Sequence, residues 1–144
     1  MESNKKPYGQ QYGVSMTYAE ELDSFTTIHK KCILSFKKNG GWLEIPEVPG
    51  TLNVTCTSSD TQPKVYTISG TFRVAYASEA NQQLLDEYSK RGCILMYHTG
   101  GGNTKVAGTK ANPLTLKYDT VDGFDGYEVT VSGTQTSSES FITE

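Results

Sequence analysis

The sequence predicts a mainly β fold, a β-sandwich or partly closed barrel with one flanking α-helix at about residues 79–91. Three observations carry this expectation. Short segments alternate apolar and polar residues with a period of two, as in Thr51–Thr57 and Tyr127–Gly133. One stretch alone, Ser78–Gly92, combines a helical apolar stripe with capping residues at both ends. Apolar residues make up only 35% of the 144, and there are 14 glycines, a balance suited to strands with polar outer faces and many turns.

Taken in order, residues 1–16 mix Lys, Pro, Gly, Gln and Tyr without periodicity. They read as a flexible N-terminal arm preceding one β-rich domain, 17–144. Residues 17–24 fit a single helical turn. Lys31–Lys37 is a β-rich apolar run, Asn39-Gly40-Gly41 a turn, and Trp42–Ile45 a return strand, together a hairpin. Pro46, Pro49 and Gly50 stop it. Thr51–Thr57 points Leu52, Val54 and Cys56 to one side. Lys64–Tyr76 is a long strand in which Gly70 marks a bulge.

The helix follows. Ser78 is the N-cap, Glu79 suits the positive end of the dipole, and Lys90 and Arg91 suit the negative end. Gly92 is placed for a left-handed C-terminal stop. Ala80, Leu84, Leu85 and Tyr88 form the apolar stripe, and Asn81, Gln82, Asp86, Glu87 and Lys90 the polar face. Cys93–His98 is apolar enough for a strand covered on both sides. Thr99–Thr104 is a Gly-rich tip too flexible to hold one shape alone. Lys105–Thr109, Leu114–Tyr118 and Tyr127–Gly133 are further strands, with Asp119–Gly126 as a turn. Phe141 and Ile142 are apolar points able to dock a polar tail. About four strands thus precede the helix and three or four follow it.

Composition excludes several functions. A net charge of −3 argues against binding nucleic acid by phosphate neutralisation. No stretch approaches the ~18 apolar residues of a membrane helix. The polar N-terminus has no signal-peptide core, which predicts synthesis in the cytoplasm. Cys32, Cys56 and Cys93 lack metal-site spacing and read as buried thiols. His29 and His98 have no His or Cys at zinc-ligand spacing. Asp119, Asp122 and Asp125 stand three apart without the calcium-loop pattern, so the turn reading is preferred to a surface cation site. No catalytic, cofactor-binding or metal-ligating residue is assigned.

The segment Lys64–Gly133 resembles the tail tube and related tail proteins of bacteriophages. The likeness lies in TISGTFRVAY, SEANQQLLDEYSKRG, CILMYH and GYEVTVSGTQ. The resemblance implies a β-sandwich or small barrel with one helix, a non-enzymatic virion subunit, and assembly into hexameric rings with other virion proteins. It also implies a channel through which DNA slides without specific binding. Tube, terminator and connector roles all fit it. Candidate subunit contacts are Tyr8 and Tyr12 on the arm, Gly100, Gly101, Gly102 and Asn103 at the glycine-rich tip, and Phe141 and Ile142 in the tail. A competing expectation is a β-sandwich module that binds a carbohydrate or surface ligand through Trp42, Tyr66, Tyr76 and Tyr97. A third, an enzyme, needs polar residues converging in a pocket.

Overall fold

The structure, a computed structural model, describes residues 10–38, 40–137 and 139–142. Among them the fold is mainly β, two sheets and one helix, with no closed barrel. In chain order the elements are β1 (Tyr12–Tyr18), β2 (Leu22–Ile28), β3 (Lys31–Phe36), β4 (Leu43–Glu44), β5 (Asn53–Ser58), β6 (Tyr66–Ala75), α1 (Glu79–Lys90), β7 (Cys93–His98), β8 (Thr104–Ala107), β9 (Thr115–Val121), β10 (Phe124–Gln135) and β11 (Ser140–Phe141). A seven-stranded sheet has the order β2-β3-β11-β8-β7-β1-β4, and a four-stranded sheet the order β5-β6-β10-β9.

The main core lies between the sheets. Val14, Met16, Leu95 and Tyr97 from one meet Ile68, Phe72, Val129 and Val131 from the other. Each such side chain contributes about 1.5–3 kcal/mol when fully buried. β7 supplies both faces. Cys93, Leu95 and Tyr97 enter this core, while Ile94 and Met96 enter a second cluster with Leu22, Cys32 and Val106. The β2–β3 hairpin therefore curls over the outer face of the sheet that contains it. That explains why Cys93–His98 carries the near-continuous apolar run expected of a central strand.

Six strands precede the helix, where the sequence suggested four. Two had been missed. From Tyr12 onward the expected arm is β1, a strand between β7 and β4, and both Val14 and Met16 are 0% exposed. Gly13 and Ser15 had masked the alternation of Val14, Met16 and Tyr18. Gly13 takes a φ of +75, and a Cβ there would stand 2.5 Å from the His98 ring. The Glu47 carboxylate accepts from the Gly13 and Val14 N–H groups at 2.9 and 3.2 Å and closes this irregular start. The other missed strand is β2. Its neighbour in sequence, β3, pairs with it and not with Trp42–Ile45, because the two-residue connection His29-Lys30 closes the hairpin directly. β4 pairs instead with β1. The helical turn expected at 17–24 is a short 3-10 turn at Ala19–Glu21.

Gly70 is not a bulge. β6 keeps one register with β10 from Tyr66 to Ala75. Glycine is there for room: a Cβ would lie 3.1 Å from Val131 Cγ2 and 3.2 Å from Val54 Cγ2. Gly92 also serves packing and not a left-handed stop. Arg91 is extended at φ −122, and a Cβ on Gly92 would meet Pro113 Cγ at 2.6 Å. The Ser78 cap is as expected, its Oγ accepting from Asn81 N–H at 3.2 Å. The faces of α1 are shifted. Leu85 and Tyr88 are buried and Leu84 packs beside them, but Ala80 is exposed. Asn81 donates to the Ala75 and Tyr76 carbonyls at 3.0 and 2.9 Å, and Tyr118 donates to Asp86. Asn81 and Asp86, two of the five residues of the expected polar face, are thus turned to the sheet. The expected turn at Asp119–Gly126 shrinks to Asp122-Gly123, since β9 runs on to Val121 and β10 begins at Phe124.

Candidate functional site

An open depression of about 610 Å³ lies where three connections meet. Its lining is His29, Lys30 and Lys31 from the β2–β3 turn, Gly102, Asn103 and Thr104 from the β7–β8 turn, and Phe141 and Ile142 from the tail. A smaller hollow of about 290 Å³ adjoins it, sharing Lys30 and Phe141 and adding Cys56, Ser58, Tyr66, Lys105 and Glu139.

Each wall is fixed by backbone hydrogen bonds. The β7–β8 tip is closed, with Thr99 N–H donating to the Asn103 carbonyl at 2.8 Å and Gly102 N–H to the Thr99 carbonyl at 3.0 Å. Gly102 takes a φ of +91, which glycine adopts at no steric cost. So the tip is held in one turn by these bonds, where the sequence suggested a turn too flexible to hold one shape alone. The tail is held as β11 between β3 and β8, with Phe141 N–H bonded to the Lys30 carbonyl at 2.8 Å and Ile142 N–H to the Thr104 carbonyl at 3.0 Å. The β2–β3 turn is unusual. His29 and Lys30 have φ of 52 and 66, the left-handed region of a two-residue hairpin turn in which Asn-Gly is favoured. An ordinary L-residue held there costs roughly 1–2 kcal/mol.

The floor carries a buried carboxylate. Glu139 is 6% exposed. Its Oε2 accepts from Tyr97 O–H at 2.7 Å, and its Oε1 lies 3.9 Å from Lys105 Nζ. Lys105 also stands over the Phe141 ring, 5.4 Å from its centroid. Burial and the adjacent Glu139 charge push the Tyr97 hydroxyl pKa upward, so this hydroxyl is a donor at all ordinary pH. The carboxylate is thus held by the Tyr97 hydroxyl and the Lys105 ammonium.

The structure brings together part of the predicted contact set. Gly102, Asn103, Phe141 and Ile142 share the depression. Gly100 and Gly101 sit on the same turn but do not line it. Tyr12 is half-buried in β1, its ring 5.1 Å from that of His98, whose Nδ1 meets Thr104 Oγ1 at 2.9 Å. Tyr8 lies outside the described residues. His29, Lys30 and Lys31 were missed as site residues. The available signal was a pair of β-rich runs separated by two residues, obscured because neither residue is Asn or Gly.

The other candidate chemistries are not assembled in this way. Among the described residues, no three His, Cys, Asp or Glu are grouped to hold a metal ion. Asp125 Oδ1 accepts from Ala77 N–H at 3.1 Å. All three cysteines are free, Cys32 and Cys93 buried and Cys56 half-buried. Burial pushes the Cys93 thiol up to about 12. Trp42 packs edge-on against Phe36, and Tyr97 is 1% exposed, so these two rings share no open platform. Among the described residues no helix is long and apolar enough to cross a membrane. Against protein-family models, curated proteins and solved structures, the chain has no match.

Proposed function

We propose that this chain is a non-enzymatic structural subunit of a phage or prophage particle, a tail component that is made in the bacterial cytoplasm and self-assembles into rings. The observation that carries self-assembly is the open edge of the large sheet. Among the described residues β2 ends that sheet, and one side of its backbone has no strand partner there. The exposed Ile28 and Ile33, at 49% and 57%, lie on the same hairpin. Leu43, 45% exposed, marks the opposite edge at β4. Apolar side chains beside unpaired edges favour strand pairing or edge contact with another chain. The resemblance of Lys64–Gly133 to phage tail proteins supplies the virion setting. A net charge of −3 suits a wall past which DNA slides.

Light scattering and electron microscopy of the purified protein test this reading. Rings or tubes are the expected result. A strict monomer at millimolar concentration in low salt refutes it. The flanking genes test the setting: neighbours encoding capsid, portal and tape-measure proteins support a tail subunit, and a metabolic operon counts against one.

A further inference from the structure

The geometry points to a two-fold pairing of β2 with β2 of a second copy, antiparallel and centred on Thr26, that joins two large sheets into one. The inference rests on the self-assembly reading and names the strand and register of one contact.

Among the described residues the two sheets end in β2, β4, β5 and β9, and all but β2 are guarded. β4 is two residues long, with Pro46 soon after it. β5 has its outer side occupied by Gln11, whose Nε2 donates to the Val54 carbonyl at 3.1 Å while its Oε1 accepts from Val54 N–H at 2.6 Å. β9 carries Lys117 and Asp119, and Tyr118 ties it to Asp86 of α1. Shortness, proline, charge and cover are the usual devices that stop an edge from pairing with another chain. β2 shows none of them from Ser24 to Ile28. That run, SFTTI, is uncharged and holds one register with β3 throughout. The register shifts between Leu22 and Ser24, so the regular part of the edge ends there. Among the described residues the backbone bonds of this run go to β3 alone.

The turn sets which backbone groups face outward. His29 and Lys30 form a two-residue loop with φ of 52 and 66, so Ile28 and Lys31 close it as a hydrogen-bonded pair. Alternation then aims the N–H and C=O of Ile28, Thr26 and Ser24 at β3, and those of Thr27 and Phe25 outward. An antiparallel second β2 meets all of these outward groups when Phe25 of each copy stands opposite Thr27 of the other. Thr26 then faces Thr26 of the second copy across the two-fold axis, a non-hydrogen-bonded pair about 4.5 Å apart at Cα. This register uses the whole uncharged run and sets Asp23 away from its own copy. The side chains suit it. Phe25 packs against the second core cluster, beside a hollow of about 460 Å³ lined by Thr109, Lys110 and Ala111, which leaves room for the Phe25 ring of the second copy. On the other face Ile28, 49% exposed, is covered by Ser24 and Thr26 of the second copy. A contact of this symmetry closes after two copies, so ring growth uses a different surface.

Disulfide trapping and charge substitution test the contact. Thr26 is exposed, so its variants keep the fold. Thr26→Cys is expected to give a covalent dimer on a non-reducing gel after air oxidation, since the pair lies within the Cα span of a disulfide. Ser24→Cys falls about 13 Å from its own copy along the strand. It is expected to cross-link no more than the wild type, whose Cys32, Cys56 and Cys93 set the background. Thr26→Lys and Thr26→Asp each place like charges face to face, and sedimentation equilibrium should show pairing weakened at least about tenfold. An equimolar mixture of the two restores it as a heterodimer. If the wild type associates and both charge variants associate equally well, this contact is wrong and the assembly reading stands. Equal cross-linking of Thr26→Cys and Ser24→Cys also overturns the contact. A wild type that stays monomeric overturns both. Dimers that never form rings keep the contact and overturn the ring.

Discussion

Replacing His29-Lys30 by Asn-Gly should strengthen the fold. The native pair holds φ of 52 and 66. Each ordinary residue in that region costs about 1–2 kcal/mol. Asn visits it readily, and Gly has no steric penalty but loses roughly 0.5–1 kcal/mol in chain entropy on folding. The net gain is then about 0.5–1 kcal/mol per position, or about 1–2 kcal/mol for His29→Asn with Lys30→Gly. For a chain of 144 residues this corresponds to a Tm rise of about 4 °C. The backbone bond from Phe141 N–H to the Lys30 carbonyl survives the change. Urea unfolding at a protein concentration too dilute for association measures the effect, with the midpoint rising and m unchanged. Lys30→Ala is the control: it keeps a Cβ in the left-handed region and should give no gain. An unchanged or lower midpoint for the Asn-Gly variant refutes the strain argument.

Three further outcomes follow from the packing. Gly126→Ala would bring a Cβ within 2.2 Å of the Val74 carbonyl oxygen, so the β6–β10 ladder must open and stability should fall by at least about 2 kcal/mol; a wild-type melting curve would refute this. Tyr97→Phe leaves the buried Glu139 with Lys105 but without its hydroxyl donor, a loss of about 1–3 kcal/mol by urea unfolding, while Tyr97→Phe combined with Glu139→Gln should recover part of it. Burial raises the Cys93 thiol from 9.0 to about 12, so between those values the unfolded chain loses a proton that the folded chain retains. This contribution to stability is complete below pH 9.0 and declines by about 1.4 kcal/mol per pH unit above it, and Cys93→Ala should flatten that decline.

Much of the fold was legible because its signals are local. The Ser78 cap, the Leu84, Leu85 and Tyr88 stripe and the buried run at Cys93–His98 depend on neighbours a few residues away. The alternation of Leu52, Val54 and Cys56 is of the same kind. β1 was not legible, because its burial comes from β7, some eighty residues later, and Gly13 breaks its pattern. The β2–β3 turn was hidden for the opposite reason: its conformation runs against the local preference of His and Lys. Of the site, Gly102, Asn103, Phe141 and Ile142 stood out as apolar or flexible points in polar surroundings. The turn residues His29, Lys30 and Lys31 beside them did not, since Lys and His are ordinary on any surface.

The sequence by itself determined that the chain forms a strand-rich domain with one helix, and where that helix begins. It did so through periodicity and capping, which act within a turn or two. The tertiary structure alone decided which strands pair, that β2–β3 curls back over β7, and that a turn, a tip and a tail meet around one depression. Those outcomes depend on contacts between segments as far apart as Lys30 and Phe141. Strand pairing depends on burial and register across the whole sheet, and an alternating segment carries no mark of its partner.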